Sequence, residues 1–288
     1  MSKFIVFSDS ACDLENETKT QWNVKCIDLS LSFIDDNKIL YNSEINPKEF
    51  YQKMRDGGVA KTSAANSEAF KKAFETELEN GNDILYIGFS SGLSTTFNSA
   101  RLAAIELEEK YPERKIKVID SLCASSGQAM LVYYACMQRD KNIDLEDAAK
   151  YLENIKFNMC HFFTVNDLVY LKRGGRISAT TALVGGILGI KPILHVDNEG
   201  HLVSIGKVRG RRHSIKELAK KYGENVTNIG EGPIYICHGD CIEDVEILKG
   251  ILAKDYNVSV DMVVNTGPVI GAHSGPGTLA LFFIGKQR

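Results

Sequence analysis

The first half of the chain alternates short apolar runs with segments of helical length, and this alternation constrains the fold more than any other feature. The apolar runs lie at 4–7, 84–89 and 116–119, and helices are predicted at 97–111, 126–139 and 145–155. Strands joined by helices of this length form right-handed crossovers, which give a parallel sheet with helices on both faces. The sequence therefore predicts an α/β fold whose N-terminal domain is a parallel sheet flanked by helices.

Polar residues follow each of these apolar runs. Asp9 follows the first run, Ser90 and Ser94 follow the second, and Asp120 follows the third. Ligands of parallel sheets bind beyond the carboxyl ends of the strands. We therefore expect a binding site where these hydroxyls and carboxylates meet.

The second half of the chain is less regular. Strands are predicted at 160–165, 193–196, 202–208, 234–237 and 258–264, with helices ending at 171 and spanning 214–222 and 242–253. Residues 197–200 contain a glycine between two strands, which is typical of a hairpin turn. This pattern predicts a mixed α/β domain, so we place the domains at 1–158 and 159–288.

Composition excludes several classes of protein. Among 288 residues, 34 Lys and Arg face 37 Asp and Glu, and this near-neutral balance argues against a protein that coats nucleic acid. The N-terminal apolar stretch is too short for a secretory signal, so we expect a cytoplasmic protein with reduced thiols. Residues 262–285 lack charged Asp, Glu, Lys and Arg, but their glycines and prolines predict strand, loop and strand, not membrane insertion.

Residues 88–92 match the G-x-S-x-G pattern of a hydrolase nucleophile, between a predicted strand and helix. Ser90, Asp240 and His273 also follow the chain order of a hydrolase triad, which makes an esterase-like serine hydrolase one hypothesis. The alternative is a hydroxyl-rich helix start with Ser94 or Thr95 as N-cap, where free N–H groups attract a carboxylate or phosphate. Sequence patterns alone leave both open.

Other motifs favour no cofactor or metal. The glycines at 271–277 are followed by only 11 residues, too few for a dinucleotide-binding unit, and the cysteines at 237 and 241 lack a second pair at zinc spacing. Seven Lys and Arg lie between 207 and 221, and Arg173 and Arg176 form a second basic region. Arginines between a strand and a helix suit recognition of phosphate or of a partner.

A set of short motifs follows in a fixed order between residues 8 and 277. They are Asp-Ser-Ala-Cys-Asp-Leu at 9–14, Lys-Thr-Ser at 61–63, Ser-Ser-Gly-Leu-Ser-Thr-Thr-Phe-Asn-Ser-Ala at 90–100, Asp-Ser at 120–121, Leu-Lys-Arg-Gly-Gly-Arg-Ile at 171–177, Lys-Pro-Ile-Leu at 191–194, Gly-Lys-Val-Arg at 206–209 and Gly-Ala-His-Ser-Gly-Pro-Gly at 271–277. This ordered set resembles the motifs of the bacterial DegV family. The chain departs from the family pattern at Ala64, Ala65 and Asn66, at Thr95, where the family has Gly, and at Phe97, often Tyr.

The resemblance implies lipid binding, since the family includes the fatty-acid-binding subunit of bacterial fatty acid kinase. It implies a two-domain α/β protein with an acyl chain buried between the domains. Thr62, Ser94 and His273 would hold the carboxylate, with Ser63 and Thr95 beside them. Arg176 and Arg209 would contact phosphate or a partner, and uncharged residues 180–190 would line the tunnel.

The resemblance also implies a binding protein that is not itself an enzyme and that needs no cofactor. Its ligand would be a long-chain fatty acid such as palmitate, stearate or oleate. A separate ATP-binding kinase subunit would convert the presented carboxylate to an acyl phosphate for phospholipid synthesis.

Overall fold

The computed structural model describes residues 4–178 and 189–288. Its strands are β1 (Phe4–Asp9), β2 (Val24–Ile27), β3 (Ser30–Phe33), β4 (Asp36–Tyr41), β5 (Ala60–Ser63), β6 (Asp83–Gly88), β7 (Ile116–Asp120), β8 (Met159–Thr164), β9 (Ile190–Val196), β10 (Leu202–Arg209), β11 (Tyr235–His238), β12 (Met262–Asn265) and β13 (Leu279–Ile284). Its α-helices are α1 (Asn16–Gln21), α2 (Pro47–Arg55), α3 (Ser67–Glu79), α4 (Thr96–Lys110), α5 (Ser126–Asp140), α6 (Leu145–Ile155), α7 (Val169–Arg173), α8 (Arg211–Asn225), α9 (Ile242–Tyr256) and α10 (Pro268–Ser274).

A parallel sheet with the strand order β2-β1-β6-β7 forms the N-terminal core. Every residue of β1 and β6 is buried, as expected for strands covered on both faces. Phe70 and Phe74 of α3 and Ala103 of α4 pack on one face, while Leu131 of α5 and Leu152 of α6 pack on the other. The prediction of a parallel sheet flanked by helices is confirmed.

A second, three-stranded antiparallel sheet with the order β4-β3-β5 was not predicted from the sequence. Its strands have only four to six residues each, and Thr62 and Leu31 form one of the cross-strand pairs. Leu31 and Phe33 of this sheet are buried against Phe50 and Met54 of α2. The sheet matters for function because β5 carries Thr62 and Ser63.

A mixed six-stranded sheet with the order β10-β9-β8-β13-β11-β12 forms the C-terminal half. β11 and β12 are parallel, and the other neighbours are antiparallel. Leu218 of α8 and Leu248 of α9 pack on one face, and Phe163 and Phe282 on the other face join the core around α5. The predicted mixed α/β half and its hairpin between β9 and β10 are confirmed.

The expectation of a loop between the last two strands is wrong, because α10 occupies residues 268–274. Pro268 takes the first helical position, where its missing N–H costs nothing, and Gly275 ends the helix with a φ of 82°. A helix of seven residues with a central glycine shows too little periodicity to be recognised. Within the described ranges, no helix has the length and apolar character needed to cross a membrane.

Candidate functional site

A cavity of about 490 Å³ lies at the carboxyl ends of β6 and β7, between the parallel sheet and the mixed sheet. This volume is within the usual range of ~300–1,000 Å³ for small-molecule sites. Most of its wall is apolar, and that part is formed by Leu29, Phe89, Leu93, Phe163, Leu171, Val196, Leu202, Val269, Ile270, Ala280 and Phe282. Such a wall favours an apolar ligand body.

One end of the cavity is polar. It is lined by predicted site residues that come from four separate segments: Thr62, Ser63, Ser94, Thr95, Arg176 and His273. The structure therefore brings six of the seven predicted site residues to one cavity. Arg209, the seventh, ends β10 with an exposed side chain and is not among the described residues that line the cavity.

His273 and Thr62 form the best-defined contact at this end. The Thr62 hydroxyl oxygen lies 2.8 Å from His273 Nε2, although the residues are 211 positions apart in the chain. Burial, together with the charge of Arg176, lowers the pKa of His273 to about 4, so the imidazole is neutral at pH 7. Nδ1 of the ring is buried and has no hydrogen-bond partner among the described residues.

Gly174 makes room for this imidazole. A Cβ at position 174 would overlap Nδ1 of His273, so any larger residue would displace the ring. Gly174 follows α7 in the Lys-Arg-Gly-Gly-Arg segment, where Arg176 Nη1 donates to its carbonyl. The Lys-Arg-Gly-Gly-Arg motif, which the sequence indicated for its arginines, therefore also provides the backbone surface against which the His273 ring packs.

Ser94 precedes α4, and its hydroxyl lies at the start of that helix. It accepts the N–H of Thr96 at 3.2 Å and lies 2.8 Å from the Thr96 hydroxyl. Thr95 occupies the N-cap position, but its side chain makes no capping hydrogen bond. Because most first-turn N–H groups of a helix lack intrahelical partners, this end of α4 presents donors and a positive dipole.

Arg176 supplies the positive charge at the polar end. Its Nε and Nη2 atoms donate to the carbonyl oxygen of Leu93 at 3.1 and 3.0 Å, which fixes the backbone next to Ser94. No carboxylate pairs with it in the part of the chain that the structure describes. Burial lowers the pKa of its guanidinium, so a nearby anion would be stabilised and would in turn stabilise the charge.

Asp9 fixes the backbone next to the site through hydrogen bonds, a role that was not predicted from the sequence. Its carboxylate accepts the N–H of Phe89 at 2.9 Å and the hydroxyl of Tyr86 at 2.6 Å. Burial raises the pKa of Asp9. This carboxyl group therefore anchors the chain where it leaves β6 toward Ser94. The position of Asp9 directly after the first apolar run was the only feature of the sequence that indicated such a role.

The three residues of the hydrolase hypothesis are engaged with different partners. The buried hydroxyl of Ser90 donates to the carbonyl of Gly200 at 2.9 Å. Asp240 accepts from Arg55 at 2.5 Å, and His273 pairs with Thr62. The Ser90 contact lies at the hairpin turn, the Asp240 contact is an ion pair at the surface, and the His273 contact lies at the polar end of the cavity. The three residues do not form a triad.

In the described part of the chain, no group of three or more His, Cys, Asp and Glu side chains could hold a metal ion. The cysteines are all free there. Burial raises the pKa of Cys237, which lines the cavity, to about 12. A thiol with that pKa is not a ready nucleophile at neutral pH.

Comparison with known proteins places this architecture in a family. Residues 3–286 match the family model described as "Uncharacterised protein, DegV family". The chain belongs to the DegV family. A DegV domain-containing protein of Clostridium perfringens is 42% identical over 290 residues, covering 100% of this chain and 99% of the relative.

Solved structures of DegV proteins have the same fold. A DegV family protein of Thermus thermophilus, described by its fatty acid binding, has a TM-score of 0.89 at 30% identity and covers 99% of this chain and 100% of its own. A stearic acid-binding protein of Eubacterium ventriosum has a TM-score of 0.89 at 29% identity, with 98% of each chain covered. DegV of Bacillus subtilis, a fatty acid binding protein, has a TM-score of 0.85 at 27% identity, covering 99% and 100%.

The uncharged segment 180–190, expected to line the tunnel, lies outside the described residues except for Gly189 and Ile190. The domain boundary near residue 158 stays a prediction, and β8 begins at Met159.

Proposed function

We propose that this DegV protein binds a long-chain fatty acid, with the carboxylate at the polar end of the cavity and the acyl chain along its apolar wall. One observation carries the proposal: the apolar cavity ends in hydroxyls, a neutral imidazole and a cation that has no carboxylate partner among the described residues. A ligand with one anionic head and an apolar body complements both parts.

The head group would be held by neutral donors. If Nε2 of His273 carries the ring proton and donates to the Thr62 oxygen, then the Thr62 hydroxyl is free to donate to a carboxylate. Ser94 adds a hydroxyl at the start of α4, and Ser63 and Thr95 lie at the rim. Arg176 contributes charge while it fixes the Leu93 carbonyl beside Ser94.

The acyl chain would supply most of the affinity. Each buried CH₂ group contributes about 0.8 kcal/mol, so a chain of palmitate, stearate or oleate length gains far more than its head group. The proteins from Thermus thermophilus, Eubacterium ventriosum and Bacillus subtilis support this ligand class, since each is described as binding a fatty acid.

We infer that a separate ATP-dependent kinase subunit phosphorylates the bound carboxylate, and that this chain presents the substrate to it. Arg209 is exposed on β10 and would contact that partner, while Arg176 would stabilise charge added at the head group.

Native mass spectrometry of the protein purified from a bacterial host tests the proposal. We expect a complex whose mass exceeds the chain by one fatty acid, and lipid extraction should identify that acid. A chain that carries no lipid and does not take up stearate after purification would contradict it. Hydrolysis of an activated ester that disappears in Ser90→Ala would instead support the hydrolase.

A further inference from the structure

One further polar side chain of the cavity lies away from the polar end and has no role in the proposed carboxylate site. His161 of β8 lines the cavity and is only 2% exposed. Neither of its ring nitrogens has a hydrogen-bond partner among the described residues. Buried polar groups in folded proteins almost always have a partner, so these two atoms require an explanation.

The position of this imidazole is tightly defined. A Cβ at Gly127 would overlap its Nε2 atom, so the glycine in the first turn of α5 makes room for the ring. Phe282 packs against it edge to face, with ring centroids 5.3 Å apart. Ser126, next to Gly127, also has a buried hydroxyl without a partner in the described chain. The surroundings fix the ring. The backbone of Met159 approaches it closely enough to oppose the lowering of its pKa, but no hydrogen bond of normal geometry reaches either ring nitrogen from the described residues.

Strand register places His161 well away from the carboxylate site. It pairs with Phe282, three residues along β13 from Leu279. Leu279 begins β13 directly after Thr278, whose hydroxyl donates to Gly275 at the end of α10, beside His273. At about 3.4 Å per strand residue, His161 lies roughly 10 Å deeper along the sheet than this end of the strand.

The protonation state of His161 suits an uncharged ligand group. Burial, and secondarily the charge of Arg288, lowers its pKa well below the ordinary value of 6.5. A neutral imidazole has one N–H donor and one acceptor nitrogen. It can therefore pair with an alcohol oxygen or a keto oxygen, whereas a second carboxylate would find no charge partner.

We propose that His161 forms a second polar subsite in the cavity, which recognises an oxygen substituent partway along the acyl chain. The ligand class then includes hydroxy and oxo fatty acids. This inference rests on the proposed fatty-acid function, since the carboxylate fixes which chain carbon lies opposite His161.

Binding of stearate and of a positional series of hydroxystearates to the delipidated protein tests the subsite. A hydroxyl group that enters a wholly apolar tunnel weakens binding by about tenfold or more. We expect one positional isomer to bind the wild type at least as tightly as stearate does. In His161→Leu that isomer should become at least tenfold weaker relative to stearate.

Phe163→Leu is the matched control, because Phe163 lies on the same strand and also lines the cavity without offering a hydrogen bond. It should leave the ratio of the two affinities unchanged. If His161→Leu unfolds, His161→Phe retains the ring shape and should give the same loss. The subsite is overturned if every hydroxystearate binds the wild type at least tenfold more weakly than stearate, or if the preference survives in the His161 variants. Failure of the wild type to bind stearate at all would instead overturn the proposed function.

Discussion

Two hydroxyl groups from distant parts of the chain meet at the polar end of the cavity, one from Thr62 on β5 and one from Ser94 before α4. Their proposed role is to donate hydrogen bonds to the carboxylate of a bound fatty acid, so removing either hydroxyl should weaken binding.

Ser94→Ala and Thr62→Ala should each weaken stearate binding without unfolding the protein. A hydrogen bond to a charged group contributes about 1.5–3 kcal/mol, which corresponds to a loss of roughly tenfold or more in affinity. Ser99→Ala, one turn further along α4 and away from the cavity lining, serves as the control. Titration calorimetry measures all three, and wild-type affinity in the double variant would show that the carboxylate site is misplaced.

The two arginines should behave differently from each other. Arg176 holds the Leu93 carbonyl next to Ser94, so Arg176→Ala should reduce both fatty-acid binding and kinase-dependent ATP consumption. Arg209 is exposed and away from the cavity lining, so Arg209→Ala should reduce only the kinase step. Parallel binding and ATP assays measure the split, and equal loss in both assays for Arg209→Ala would argue against a docking role.

At the scale of elements, the β9–β10 hairpin closes one side of the cavity. Val196 and Leu202 contribute lining on either side of the turn, and the turn carbonyl of Gly200 accepts the Ser90 hydroxyl. Gly200 has a φ of 79°, and a Cβ there would overlap that hydroxyl. The G-x-S-x-G pattern is thus a docking site for the hairpin in this structure.

Gly200→Ala should destabilise the protein by about 1–3 kcal/mol, because the substitution combines a strained backbone with a steric overlap. Gly206→Ala, in the same hairpin, is the matched control, since a Cβ at position 206 meets nothing within 4 Å. Urea unfolding of both variants measures the difference. Equal stability of the two would mean that the hairpin turn is not held at Ser90.

The elements that sequence predicted well are those with a strong local signal. The parallel strands β1 and β6 contain continuous apolar runs. The bounds of α6 are those predicted for it, 145–155, because Asp144 caps a helix whose apolar residues lie on one face. The β3–β5 sheet and α10 gave no such signal. Short strands and a seven-residue helix depend on tertiary contacts. The packing partners of Leu31 and Val269 are distant in the chain, so these elements could not be predicted from the local sequence.

The site divides in the same way. Motif resemblance indicated Thr62, Ser94 and His273, and the structure brings them to one cavity. The contact of Gly174 with the His273 imidazole and the lack of a partner for the His161 ring could not be predicted. Each depends on a glycine that is distant in the chain but packs against the ring in the fold.

On the scale of the whole molecule, a buried carboxyl links the N-terminal sheet to the helix that carries His273. Asp13 accepts the Ser125 hydroxyl at 2.5 Å, and a Cβ at Gly267 would overlap its other oxygen. Burial raises the pKa of Asp13 to about 7 from an ordinary value near 3.8. The ionised form is therefore disfavoured in the folded protein.

This pKa predicts a pH-dependent effect of Asp13→Asn. Between pH 4 and 7 the folded state binds more protons at Asp13 than the unfolded state does, so this group costs stability as the pH rises. Asparagine resembles the protonated form and removes that cost. Urea unfolding should show the variant gaining stability relative to wild type from pH 4 to pH 7, and a pH-independent difference would contradict the assignment.

A crystal structure of the delipidated protein after addition of stearate tests the central claim most directly. The account predicts that the carboxylate lies within hydrogen-bond distance of Thr62 and Ser94, with the acyl chain along the apolar wall of the cavity. A stearate carboxylate elsewhere, or a cavity that stays empty while stearate binds the surface, would contradict it.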